Sequence, residues 1–355
     1  MIRLIVLILI CSSIWGYSQD PLFSQSDLNM LYTNPAYAGS DKGARFLIHR
    51  RDQWNGISSE TFHTNYIEMN QFLGKSEKLN KGKQYGLGFH LISDMENSIF
   101  QVNEFGTSFS ITFFNRRYLF AGGSQLSIID GRMQTNNLIF TDQINYYNSI
   151  IGPLNPDNIP LTGKYREVSL GWGSLFSWLY GGKDKETTIS FSIFNIGESR
   201  SFNKTENYRS PLRIHTHLSH EFTIENNRED NFEKTINVFL RLMRQIRGFN
   251  NPIEIGNRLE IGSTFALKTP YTRKLFILGT MYRKSAVFDG SFMSESFVPI
   301  IRIKPSKRLV INYSYDINIS RLTNNLARST HELGLIFILN KEPKKICKGV
   351  NPLFD

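Results

Sequence analysis

The chain has 355 residues, of which 40% are hydrophobic and 13% aromatic, with 27 Phe and 15 Tyr. Its overall hydropathy excludes a bundle of membrane helices, and 2 Cys exclude a disulfide scaffold and any Cys-based zinc module. The formal charge of +10 raises the question of nucleic acid, which the distribution of the lysines answers below.

Residues 1–18 read as a secretory signal peptide. Arg3 supplies a positive charge, Leu4 to Ile10 is continuously apolar, and Gly16 and Ser18 place small residues at the −3 and −1 positions of a cleavage site. The apolar run is too short to span a bilayer as a helix. Cys11 invites a lipoprotein reading, but Ile10 stands where a lipobox needs a small residue. With Cys11 removed, Cys347 is the only thiol of the mature chain, unpaired or held in an intermolecular bridge. Residues 19–43 form an N-terminal segment, periplasmic or lumenal. The motif Asn34-Pro35-Ala36-Tyr37-Ala38-Gly39 within it has two readings: a turn leading into the first strand, or a plug inside a lumen.

From residue 44 to 340 apolar and polar residues alternate over stretches of roughly ten, as strands with one apolar face do. About fourteen such stretches follow: 44–52, 61–71, 84–94, 102–113, 116–129, 165–178, 186–196, 212–224, 234–245, 256–267, 273–284, 295–303, 307–318 and 329–340. Pro299 interrupts the twelfth. Soluble sandwiches use shorter strands. The length and even number of these stretches, the signal peptide and the wealth of Phe and Tyr point to an all-β outer-membrane antiparallel barrel of a Gram-negative bacterium, contacting outer-membrane lipid. Leu309, Ile311 and Tyr313 are expected to face lipid.

With both termini periplasmic, the short connections fall on the periplasmic side and the longest, Asp130 to Lys164, falls outside. Most lysines then map to the periplasmic rim, among them Lys75, Lys78, Lys81 and Lys83, and the tail 341–355 adds four more basic residues. One reading is solubility; the other is a basic collar that docks a partner or peptidoglycan. These turns lack the stacking aromatics that a single-stranded nucleic acid requires, so no nucleic-acid partner is expected.

No enzyme constellation, phosphate-binding Gly loop or nucleophile elbow stands out, and no catalytic residue, cofactor or metal is assigned. His215 and His217 share a strand face and are the one candidate metal pair, with a polar lumen network as the alternative. Arg213, Glu221, Arg241, Arg258, Glu260, Asp316 and Glu332, together with Arg302, fall on the interior face and are expected to pair there or line a watery lumen. The last stretch, Glu332-Leu333-Gly334 followed by large apolar residues at alternate positions, looks like a barrel-insertion signal, with Leu339 in place of a terminal aromatic.

Several motifs occur in order along the chain: Gln19-Asp20-Pro21-Leu22-Phe23-Ser24-Gln25, Asn34 to Gly39, Arg50-Arg51-Asp52-Gln53-Trp54 with Gly56-Ile57, Tyr282-Arg283, Tyr313-Ser314-Tyr315-Asp316, and Ser329-Thr330-His331-Glu332-Leu333. This series resembles the PorP/SprF family of outer-membrane proteins of the type IX secretion system. The middle, about 130–260, is similar only in its strand pattern, and Cys347 precedes Lys348 where the family often has Cys-Pro. The resemblance implies a non-enzymatic barrel that supports export and surface attachment of a dedicated cargo, such as a large gliding adhesin with a type B C-terminal domain. It also implies work alongside other secretion and gliding components, one of them a peptidoglycan-binding periplasmic lipoprotein. A general porin or small-molecule transporter is the alternative, and a barrel lipid hydrolase or protease a third reading.

Overall fold

Fourteen strands close into one antiparallel barrel. A computed structural model describes residues 23–40, 43–53, 62–73, 82–96, 100–115, 117–134, 144–145, 150–151, 162–180, 185–196, 210–227, 232–247, 253–268, 275–286, 292–306, 308–320 and 330–339. The signal segment 1–18, Trp54, Lys75, Lys78, Lys81 and the tail 341–355 with Cys347 lie outside the described residues.

The strands are β1 (Ala44–Gln53), β2 (Phe62–Leu73), β3 (Gly82–Glu96), β4 (Phe100–Phe114), β5 (Tyr118–Gln134), β8 (Thr162–Tyr180), β9 (Lys185–Phe194), β10 (Leu212–Asn227), β11 (Phe232–Arg247), β12 (Ile253–Lys268), β13 (Leu275–Ala286), β14 (Phe292–Lys304), β15 (Leu309–Asn318) and β16 (Thr330–Ile338). Two short strands, β6 (Ile144–Asn145) and β7 (Ile150–Ile151), pair with each other between β5 and β8. Each barrel strand pairs with its neighbour in this order, and β1 closes on β16 from Arg45↔Ile338 to Asp52↔His331. Connections at one end are short, such as 181–184 and 228–231; the other end carries 135–161, 195–211 and 319–329. The long-connection end is the outer end of such a barrel.

Strand alternation places apolar side chains outward and polar ones inward. On β4, Phe105, Phe109 and Phe113 are exposed on the outer face while Ser108, Ser110 and Thr112 are buried inside. On β15, Ile311 and Tyr313 face out, with Leu309 in the same phase, and Asn312, Ser314 and Asp316 are buried within. A soluble protein would reverse this arrangement, because exposed apolar surface is stable only against lipid. Pro299 does not stop β14. It pairs with Thr280 of β13, while the β15 ladder passes from Phe297↔Ile317 to Ile300↔Ser314 with no pair between them. The proline has no N–H to donate, so the gap falls beside it.

Candidate functional site: the lumenal segment and its cradle

Residues 23–40 run through the interior instead of joining the wall. They contain a single helical turn, α1 (Met30–Thr33), and a tighter turn at Pro35–Tyr37. Phe23, Leu28 and Tyr32 form one cluster with Leu47, Tyr66, Ile92, Ala266, Ile277, Val310 and Ile336 from the wall. The Phe23 ring stacks on His49 at 4.9 Å between centroids and meets Tyr66 edge-on at 5.7 Å. Burial of each large apolar side chain here contributes about 1.5–3 kcal/mol to holding the segment. Ala36 packs in a second cluster with Phe114, Leu119, Ala121 and Leu175.

Wall carboxylates hold the start of the segment by its backbone. Glu332, fully buried, accepts from the amides of Ser24 at 2.6 Å and Gln25 at 3.0 Å, with His49 at 3.5 Å and Arg51 at 3.7 Å around it. Ser24 Oγ donates to Asp316 at 2.7 Å and accepts from Arg283 Nη2 at 2.7 Å. Glu68 accepts from the Leu31 amide at 3.2 Å and is ion-paired to Arg45, whose Nη2 donates to the Leu28 carbonyl at 2.6 Å. Asp27 meets Arg302 at 2.8 Å and Arg241 at 3.4 Å. Burial alone would push the Asp27 carboxyl up. The Arg302 and Arg241 guanidiniums outweigh it and hold the carboxyl well below the usual carboxylate range.

The Asn34–Gly39 motif seats the other end. Asn34 Nδ2 donates to the carbonyls of Ser174 at 3.0 Å and Phe191 at 3.2 Å, and its Oδ1 caps the turn by accepting from Ala36 at 2.9 Å. Ser110 Oγ donates to the Ala38 carbonyl, and Asn70 bridges the Gly39 amide and the Tyr37 carbonyl. Gly39 has φ +65°, a left-handed conformation that glycine adopts without strain. The wall opposite is cut away to match. A Cβ at Gly86 would stand 1.9 Å from the Ala38 oxygen, at Gly123 2.5 Å from the Pro35 carbonyl carbon, and at Gly173 2.0 Å from Asn34 Oδ1.

The other sequence-picked residues divide. Asp316 and Glu332 belong to this cradle, whereas Tyr315 and His331 lie on the outer face of the same strands, ring to ring at 4.8 Å. Gln53 ends β1. Arg241, Arg258, Glu260, Asp316 and Arg302 join one network through Arg283 and Asp27. Arg241 and Arg258 pair with Glu260, and Arg283 links Glu260 to Asp316. Arg213 places its guanidinium 3.9 Å from the Tyr32 ring centroid and 4.7 Å from that of Phe194. Glu221, in the same phase on β10, lies eight residues further along, about 26 Å away for an extended strand. Lys83 is exposed on the outer face, 5.5 Å from the Phe113 ring centroid. His215 and His217 face inward beside a cavity of about 130 Å³ shared with Met30, Phe239 and Arg241. Among the described residues no group of three or more His, Cys, Asp or Glu side chains is placed to hold a metal. Sequence reasoning missed Ser24 and Asp27 as anchors within the segment, and Arg45 and Glu68 as wall residues that hold it. Arg45 and Glu68 occur in interior phase, which is the signal that could have flagged them.

The comparisons bear on this assembly. The family profile described as type IX secretion system membrane protein PorP/SprF matches residues 16–337. The chain belongs to the PorP/SprF family. Family membership, the closed barrel and its apolar outer face identify an outer-membrane protein of type IX secretion, which works among other components of that system. Among solved structures the chain is similar to a TodX monoaromatic hydrocarbon channel deltaS2 mutant, at 10% identity and TM-score 0.47, covering 92% of this chain and 94% of that one. It is also similar to a Pseudomonas aeruginosa FadL homologue, at 10% identity and TM-score 0.44, covering 87% and 95%. No curated protein sequence matches the chain.

Proposed function

We propose that this PorP/SprF barrel supports export and surface attachment of one dedicated type IX cargo, a large gliding adhesin with a type B C-terminal domain, and that it engages that cargo from its outer loops with the lumen closed. The observation that carries this reading is the lumenal segment. Phe23 to Ser40 crosses the interior and is bonded to the wall by at least five side chains, among them Glu332, Asp316, Glu68 and Asn70. A plug so held speaks against both a polypeptide threading the barrel and a general porin. The long 135–161 stretch lies at the outer end, where a cargo would meet it. The basic periplasmic rim of Lys75, Lys78, Lys81 and Lys83 would face the envelope components of the machinery, including a peptidoglycan-binding lipoprotein. No enzymatic step is assigned to the barrel.

Deleting the gene tests the reading. It should strip one large adhesin from the cell surface and leave other secreted proteins nearly unchanged. An intact surface proteome with reduced uptake of a small solute would favour the transporter instead.

A further inference from the structure

The outer wall formed by β2, β3, β4, β5 and β8 carries a groove of about 700 Å³. Its lower side is one row of paired outward positions, Ile67, Leu91, Phe105, Ile128 and Val168, all exposed. Two residues nearer the outer end, the same strands present Asn65, Ser93, Asn103, Asp130 and Arg166. The change from apolar to polar is therefore abrupt and spans five strands.

A compact charged group stands at the polar margin. Asp130 takes Arg166 at 3.1 Å and Arg132 at 3.3 Å, one carboxylate between two guanidiniums. Arg166 remains 59% exposed and Arg132 47% exposed. Each guanidinium carries five N–H groups, so a single shared carboxylate leaves most of their donors facing outward. The group has a net positive charge, and its planar forks suit phosphate oxygens better than an ammonium does.

We propose that this groove binds a phosphorylated glycolipid of the outer leaflet, of the lipid A type, with acyl chain along the Ile67–Val168 row and a phosphate on Arg132 and Arg166. Only an amphiphile satisfies both halves of the site. An apolar tail alone would leave the guanidiniums in contact with hydrocarbon, and a free phosphate would leave the apolar row unfilled. The outer end of the barrel, set by the long connections, selects the outer leaflet.

The test is native mass spectrometry of the full barrel, delipidated in detergent and mixed with lipid A, with its dephosphorylated form, or with phosphatidylglycerol. One lipid A should be retained in preference to the other two. Arg132→Gln with Arg166→Gln should lower retention at least tenfold, and Asp130→Asn should raise it, because both guanidiniums are then released to the phosphate. These side chains are on the surface, and heat-modified gel mobility will verify that each variant is folded. Equal retention by the double variant, or equal binding of the dephosphorylated form, would overturn the phosphate assignment. Equal binding of phosphatidylglycerol would overturn the outer-leaflet assignment.

Discussion

Arg283 and Asp316 meet across the strand between them, Nη1 to Oδ2 at 2.6 Å, and Ser24 of the lumenal segment closes the triangle. Arg283 is fully buried and also reaches Glu260 at 3.1 Å. Removing one partner of a buried pair strands the other charge. Arg283→Met should therefore lower the unfolding free energy of the detergent-solubilised barrel by about 3–5 kcal/mol. Adding Asp316→Asn should restore part of the loss. Urea titration of the two variants gives the comparison, and an unchanged midpoint for Arg283→Met would contradict the pairing.

The glycine cradle predicts a conductance change. A side chain at Gly123 collides with Pro35, whereas a Cβ at its neighbour Gly122 meets nothing within 4 Å. Gly123→Val should push the segment from its seat and raise single-channel conductance in planar bilayers. Gly122→Val should leave the conductance as it is in the parent barrel.

Asp27 predicts acid sensitivity of the same segment. Its carboxyl lies below its ordinary value in the folded protein because Arg302 and Arg241 outweigh burial. A depressed folded value stabilises the seated segment fully above the unfolded value of about 3.9, and that contribution disappears as pH falls through the folded value. Pepsin should cut within 23–40 increasingly below about pH 4. In Asp27→Asn that acid step should be smaller than in the parent barrel. A segment that loosens on raising the pH would contradict the assignment.

Leu126 is 52% exposed on the outer face of β5 between Ser124 and Ile128. Arginine there should cost about 2–4 kcal/mol if the position is near mid-bilayer. Equilibrium folding into lipid vesicles measures the loss, and Leu126→Ala should show a much smaller one.

Alternation made the wall legible. Phe105, Phe109 and Phe113 against Ser108, Ser110 and Thr112 set a strand and its two faces without further information. Alternation assigns a face but not a height. Arg213 and Glu221 share the inward face of β10 yet stand eight residues apart along it. The seat of the lumenal segment was harder still. Its carboxylates come from β2, β15 and β16 and its glycines from β3, β5 and β8, and only the register of the closed barrel brings them together. Pro299 was legible as an interruption: a missing donor weakens one ladder, and the other ladder holds the strand.

The central claim is that cargo meets the outer loops of a closed barrel, and site-specific photo-crosslinking in living cells tests it most directly. A crosslinker at Asn137 or Asn148, in the long outer connection, should capture the large adhesin. One at Ser190 or Asn237, on the inner wall, should capture no secreted protein. Adducts at Ser190 or Asn237 and none at the loop positions would contradict the account, because the cargo would then pass through the lumen.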